Sequence, residues 1–318
     1  MKDLNIEFPL DDFEKLISQI GWKTLDEWFM FWNLKKEILS IDNFWDGNVN
    51  DDWIWGLALP LLSQAYKFNK NYSDRKIIGI SALPGTGKST LGKWLESISL
   101  KLKFKISVIS IDDFYLPSRE MELALKNNPW NVSRGFPGSH SIDLMKEKLL
   151  KWKNDGQLNV PVYDKSLRKG LGDRAHWREE SPDLLIIEGW FLGVKPSSID
   201  PDNTVKISPP LSVCESSYRN KIQNNLNQYL DVWKMIDKIW HLKPLKFEYM
   251  NEWKSNQEKN MQVKSGSSLK DDNLSNFLRM LNVSIPHKSF DDINSDVLLM
   301  VNKERKLISV GLNQHFSN

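Results

Sequence analysis

A strand–loop–helix unit near residue 80 constrains this chain more than any other stretch. The apolar run Lys76-Ile77-Ile78-Gly79-Ile80-Ser81 reads as a buried strand. Ala82-Leu83-Pro84-Gly85-Thr86-Gly87-Lys88-Ser89-Thr90 follows, and then Leu91, Leu95, Ile98 and Leu102 recur on one face of a helix. A glycine-rich loop between strand and helix, closed by Gly-Lys-Ser, is a phosphate-binding loop. Its backbone N–H groups must wrap phosphate oxygens, and Gly85 and Gly87 permit the positive φ angles this requires. The helix starting near Lys88 adds the partial positive charge of its N-terminus. Lys88 suits the β- and γ-phosphates, and the Ser89 hydroxyl suits Mg²⁺. Gly85, Thr86, Gly87, Lys88, Ser89 and Thr90 are therefore the expected nucleotide-binding residues. Ala82 stands where such loops usually begin with glycine.

The rest of the chain supports an α/β reading. Lys105-Ile106-Ser107-Val108-Ile109-Ser110-Ile111 and Asp183-Leu184-Leu185-Ile186-Ile187-Glu188 read as further buried strands. A helix is expected from Ser141 to about Asn154, with Ile142, Met145, Leu149 and Trp152 on one face. Leu226 to Asp237 and Lys246 to Lys259 read as helices, and Ser265 to Asp272 as a polar, mobile connection. Val297 to Val301 reads as a last strand, with Leu307 to Val310 as its hairpin partner. Apolar strands alternating with helices imply a parallel sheet covered on both faces. Residues 1–70 form a Trp-rich helical N-terminal extension, and 71–318 the nucleotide domain. The stripe Phe13, Leu16, Ile17, Ile20, and the aromatic residues Trp22, Trp28, Phe29, Phe31, Trp32, Trp45, Trp53 and Trp55, read as core packing. A partner-binding or substrate-covering element is the other reading.

Composition narrows the function classes. Among 318 residues the formal net charge is +2, which gives no strong field toward nucleic acid or a membrane. No apolar run reaches membrane-span length. The single cysteine, Cys214, excludes an internal disulfide and fits a reducing compartment. The N-terminus lacks a secretory or transit pattern, so a cytoplasmic location is expected. The oligomeric state is open.

In open parallel sheets, ligands sit beyond the carboxyl ends of the strands. Asp112-Asp113 and Glu188 occupy such ends. Transfer of a phosphoryl group to an alcohol needs a carboxylate to orient the hydroxyl and take its proton, and others to hold hydrated Mg²⁺. Asp112 suits the first task and Glu188 the second, or the reverse. Asp113 is either a second candidate base or an N-cap. Ser89, Glu188 and Asp112 are the expected metal-side residues. Two Gly/Pro-punctuated loops, 134–140 and 161–174, carry Arg134, His140, Lys165 and Arg174. They read as an anionic-substrate site or as ordinary solvated loops.

These motifs together resemble a known family. Gly85 to Thr90, Ser110-Ile111-Asp112-Asp113-Phe114-Tyr115, Arg134-Gly135 with Pro137-Gly138-Ser139-His140, and Val160 to Ser166 are similar to the plant-type D-glycerate 3-kinases. So are Gly172-Asp173-Arg174 and Ile187 to Gly193. That family lies in the wider phosphoribulokinase, uridine kinase and pantothenate kinase group, and the resemblance covers roughly residues 75 to 310. It implies a P-loop NTPase-like fold and ATP-dependent phosphorylation of the 3-hydroxyl of D-glycerate, with Mg²⁺. It further implies Asp112 as base, Glu188 on the Glu-Gly-Trp position, and Tyr115, Arg134, His140, Tyr163, Lys165 and Arg174 on the acceptor side. Glu252-Trp253-Lys254-Ser255-Asn256-Gln257-Glu258 resembles the lid helix, around 246–260, whose basic residue closes on the transferring phosphate. Two positions depart from the pattern: Lys254 replaces the lid arginine, and Ser141 replaces the aspartate that commonly follows Gly-Ser-His. A related kinase for pantothenate, a nucleoside or another sugar acid, and a non-catalytic ATP-binding regulator, are the alternatives.

Overall fold

The computed structural model describes residues 6–39, 51–197, 207–265 and 271–313. Its centre is a six-stranded sheet built from β1 (Ile77–Ala82), β2 (Ile106–Ser110), β5 (Leu184–Gly189), β6 (Lys238–Pro244), β7 (Val297–Val301) and β8 (Leu307–Leu312). The order across the sheet is β2-β5-β1-β6-β7-β8. All neighbours pair in parallel except β8, which returns antiparallel along β7. β3 (Leu158–Asp164) and β4 (Asp173–Glu180) form a separate antiparallel hairpin.

The side chains of each central strand divide between two cores with the period of two that a pleated strand imposes. Ile78, Ile80 and Ala82 of β1, with Leu184 and Ile186 of β5, enter one core. Ile77, Leu185 and Ile187 enter the other. Every residue of β1 and β5 is buried, which explains why both strands read as continuous apolar runs.

The first core is closed by α1 (Leu10–Gln19), α2 (Leu25–Asn33), α3 (Leu59–Asn71) and α4 (Lys88–Lys101). Phe13, Trp28, Trp32 and Trp55 share it with Leu91, Trp94 and Leu95 of α4. The N-terminal aromatic residues are thus core, as their helical spacing suggests, with Trp45 outside the described residues. The second face carries α5 (Ile142–Asp155), α6 (Val213–Leu226), α7 (Tyr249–Ser265) and α8 (Asp271–Val283), which contribute Met145, Leu149, Trp152, Ile222, Met250 and Met280. Among the described residues, no helix is long and apolar enough to cross a membrane.

The sequence misreads three segments. Residues 161–174, expected as a loop, contain the end of β3, a turn, and the start of β4. Pro161 inside β3 disguises it, and the hairpin lies outside the main sheet, where a proline is tolerated. Leu226 to Asp237, expected as one helix, instead holds the last residue of α6 and two short helical turns, and β6 follows at Lys238. Ile239-Trp240-His241-Leu242, set between Lys238 and Lys243, hides its strand behind a buried histidine. α6 itself escapes notice because its sequence is polar over most of its surface. The helix expected around 246–260 runs Tyr249–Ser265, starting a few residues later and ending a few residues beyond its expected end. Residues 266–270 of the expected mobile connection lie outside the described residues.

One polar knot inside the N-terminal core is open to a direct check. Ser63 Oγ accepts hydrogen bonds from Trp28 Nε1 at 2.7 Å and Trp32 Nε1 at 2.8 Å, and donates to Leu59 O. Ser63→Ala leaves two buried indole N–H groups without an acceptor. Each such loss costs about 1–3 kcal/mol, so the variant loses about 2–6 kcal/mol in urea unfolding. A loss below about 0.5 kcal/mol, the size of a surface change, contradicts this account of the core.

Candidate active site

The phosphate loop turns between β1 and α4, with Gly87 as the helix N-cap at φ 101° and Gly85 at φ 80°. Space matters at Gly85 as well as φ. A Cβ there would come within 2.7 Å of the backbone carbon of Trp253. The loop is therefore seated directly beneath helix α7. Around Gly87 no atom lies within 4 Å of a Cβ position, so the space above the helix N-terminus is open. Thr86 Oγ1 donates to Leu83 O at 2.8 Å and closes the loop on itself. Ser89 is exposed in the first turn of α4, and the Thr90 N–H returns to Gly87 O.

Lys88 folds back over the loop. Its Nζ donates to Ala82 O at 2.7 Å and Leu83 O at 3.1 Å, and lies 4.0 Å from Glu188 Oε2. Burial pushes its ammonium down, against the pull of Glu188 and Asp112. Burial pushes the Glu188 carboxyl up, and Lys88 opposes it. The sheet register explains this meeting: Glu188 of β5 stands beside Ser110 of β2 and Ile80 of β1, all at carboxyl ends.

Next to Ser110 the chain enters the short 3-10 turn Ile111–Phe114. Asp113 Oδ2 accepts the Ser110 N–H at 3.0 Å, while Ser110 Oγ accepts the Asp112 N–H. The Asp113 carboxylate is thereby committed to capping its own turn. Asp112 faces the cleft instead. Its Oδ2 accepts from Lys165 Nζ at 2.8 Å, and its Oδ1 lies 3.9 Å from His140 Nε2, beyond hydrogen-bond reach. Burial, the largest single influence, pushes the Asp112 carboxyl up, but the Lys165 ammonium and His140 together outweigh it and hold the group well below the usual carboxylate range. The Lys165 side chain is 53% exposed, so water screens the pair until a ligand covers it.

The remaining expected acceptor-side residues gather around this pair in two roles. The Tyr115 ring stacks on His140 with centroids 4.6 Å apart, and Tyr163 meets Tyr115 edge-on at 5.0 Å. Arg134 lies over the Tyr163 ring at 5.9 Å and donates to Gly170 O and Leu171 O. Arg174 Nε donates to Tyr115 O, and its Nη2 donates to Ser141 Oγ at 2.7 Å. Arg174 therefore braces the strap that carries Tyr115, rather than offering a free fork to the cleft. Ser141, where the resembled family commonly has aspartate, takes this brace as a neutral hydrogen bond.

Lys254 points along its own helix. It pairs with Glu258, and its Nζ lies 5.5 Å from the Phe277 ring centroid. Burial pushes it down, Glu258 pulls it up, and its charge is felt by Lys88 across the cleft. Among the described residues, no group of three or more His, Cys, Asp or Glu side chains is placed to hold a metal alone. Two neighbours of the site escaped the sequence reading. Trp253 has no individual signal within its motif, although it covers Gly85. Tyr229, in a stretch read as an ordinary helix, donates or accepts beside His140 at 2.7 Å.

Comparison with known proteins agrees with this geometry. Residues 77–207 match the model of the Phosphoribulokinase / Uridine kinase family. A D-glycerate 3-kinase, chloroplastic, of Arabidopsis thaliana is 35% identical over 216 residues, covering 64% of this chain but only 45% of the plant protein. The uncharacterized kinase mug58 of Schizosaccharomyces pombe is 28% identical over 221 residues, covering 64% of this chain and 76% of the yeast protein. Among solved structures, a D-glycerate 3-kinase from Cryptococcus neoformans var. grubii superposes with a TM-score of 0.67 at 26% identity. That match covers 79% of this chain and 96% of the fungal one. Residues 77–207 thus match the Phosphoribulokinase / Uridine kinase family model, and the chain is similar in sequence and fold to D-glycerate 3-kinases.

Proposed function

We propose that this chain transfers the γ-phosphoryl group of ATP to a hydroxyl of a small organic acid, with D-glycerate as acceptor and 3-phosphoglycerate as product. The observation that carries the reading is the Asp112–Lys165 pair, at 2.8 Å, set in the same cleft as a phosphate loop and its lysine. A carboxylate that can take a hydroxyl proton sits beside a cation that can hold an acidic acceptor. The D-glycerate kinases among the relatives favour glycerate over pantothenate or a nucleoside. In this reading residues 71–318 carry the chemistry, and residues 1–70 support the sheet beneath it.

The chemistry needs few parts. Backbone N–H groups of residues 85–90 receive the nucleotide phosphates, and Lys88 exchanges its two carbonyl partners for phosphate oxygens. The acceptor oxygen attacks the γ-phosphorus, its proton passes to Asp112, and the bond to the ADP oxygen breaks. Lys165 and His140, with Arg134 nearby, hold the acceptor's oxygens. Lys254 changes partner from Glu258 to the transferring phosphate as α7 closes. The site fits Mg²⁺, because Ser89, Asp112 and Glu188 offer only hard oxygen donors, and such an ion takes most of its other ligands from phosphate and water. Bound there, it would neutralise charge on the phosphates. The acceptor groups are intact and the Ser141 departure still braces Arg174, so catalysis is favoured over a purely regulatory ATP-binding role. Cys214 is exposed and free, in keeping with a reducing cytoplasm.

A coupled assay of ADP release tests the function. Mg-ATP with D-glycerate should give ADP and 3-phosphoglycerate well above the rate without acceptor. If pantothenate, nucleosides or other sugar acids stimulate release and D-glycerate does not, the acceptor assignment fails. Asp112→Asn should lower kcat by about 10²-fold or more; an unchanged kcat moves the proton acceptor elsewhere.

The pH profile tests the pair. A depressed Asp112 stays ionised as pH falls through the usual carboxylate range, so it places no acid limb on kcat/KM near neutrality. Lys165→Met removes the strongest group that opposes burial, raises the Asp112 pKa, and should move the acid limb up by about one pH unit or more. A limb that stays in place contradicts the coupling.

A further inference from the structure

The two ring nitrogens of His140 keep different company. Nδ1 lies 2.7 Å from Tyr229 Oη. Nε2 is buried, has no hydrogen-bond partner among the described residues, and faces Asp112 Oδ1 across 3.9 Å. Hydrogen-bond arithmetic fixes which nitrogen carries the proton. Tyr229 is fully buried, and burial pushes its phenol up, so it keeps its proton at any ordinary pH. Its Oη already accepts the Gly138 N–H at 3.0 Å. The phenol proton therefore has His140 Nδ1 as its acceptor. Ser139 Oγ, 3.4 Å from the same nitrogen, spends its proton on Phe136 O at 2.6 Å. The opposite arrangement, with Nδ1–H donating to Tyr229, strands a buried phenol proton and turns the Nε2 lone pair on the Asp112 carboxylate. Both are costly in a dry site.

The ring is also neutral. An Nδ1 that accepts the phenol proton carries none of its own, so the ring is not an imidazolium. Rings of Tyr115, Phe191 and Tyr229 enclose it. In a neutral imidazole whose Nδ1 accepts, the proton is on Nε2.

We propose that Tyr229 is a positioning residue that locks His140 in the Nε2–H tautomer. A hydrogen-bond donor, never an acceptor, then faces the gap beside Asp112. Together with the Lys165 ammonium it presents donors to an oxygen-rich acceptor, while Asp112 supplies the one group that takes a proton. The tautomer stands on the geometry alone. Its effect on the acceptor rests on the kinase reading.

Two readouts test the parts separately. In protein labelled with ¹⁵N-histidine, the signals of His140, one of five histidines, are assigned by their absence in His140→Gln. The wild type should show a protonated Nε2 and an unprotonated Nδ1. Tyr229→Phe, which removes only the hydroxyl, should give a mixture of tautomers. Its KM for the acceptor should rise about 5–30-fold, the worth of one hydrogen bond to two, with KM for ATP unchanged. A wild-type Nδ1–H overturns the proposal. So does a Tyr229→Phe protein whose tautomer and acceptor KM both match the wild type. Should Tyr229→Phe not fold, His140→Gln, with its amide nitrogen near the Nε2 place, should bind acceptor better than His140→Asn, with its amide nitrogen near the Nδ1 place. The reverse order overturns the proposal. Failure of the kinase reading shows differently, as absence of turnover with any acceptor in the wild type whatever the spectrum.

Discussion

Burial of the central sheet on both faces is the constraint from which the site follows. β1 and β5 have no exposed residue, so neither can place a charge along its length without leaving it unpaired in an apolar core. Charge is admitted only where the strands stop. Glu188 and Asp112 sit at two such ends, Lys88 follows a third, and all meet in one cleft. The acidic residues are then compensated locally, Asp112 by Lys165 and Glu188 by Lys88. In the proposed reading, a nucleotide phosphate would compete with Ala82 O and Leu83 O for Lys88, and an acidic acceptor with Asp112 for Lys165.

The N-terminal helices connect to this cleft through a chain of contacts. Asp52 accepts the Leu307 N–H, and Trp53 Nε1 donates to Arg305 O, so the extension grips the turn between β7 and β8. That turn in turn holds α7: Trp253 Nε1 donates to Lys303 O, and Lys303 pairs with Glu252. Trp253 finally rests on Gly85 of the phosphate loop. The aromatic residues of the extension therefore do more than cover a sheet face. They fix the hairpin that holds α7, which gives the N-terminal helices a mechanical link to the site.

The sequence made the phosphate loop and the three strands around it legible, because buried parallel strands and a glycine-rich turn leave strong local patterns. Asp112 and Glu188 were legible for the same reason, as the first charged residues after apolar runs. What stayed hidden depends on long-range contact. β6 was masked by His241, whose ring is buried and whose imidazole is pushed down to about 3 by that burial. β3 and β4 read as loop because their hairpin is polar and interrupted by Pro161. The division of labour among cations was also hidden. Arg174 and Lys165 look alike in sequence, yet one braces Ser141 and the Tyr115 carbonyl while the other meets Asp112. Tyr229 carried no local signal, since its partner lies 89 positions away in the chain.

The central claim is that Asp112 and Lys165 act as one unit in the cleft, and a double-mutant cycle on kcat/KM for the acceptor tests it most directly. The account predicts strong non-additivity: once Asp112→Asn has removed the carboxylate, adding Lys165→Met should cost much less than it does in the wild type, with a coupling of about 1–3 kcal/mol. Losses that simply add, within about 0.5 kcal/mol, would show two independent residues and contradict the account.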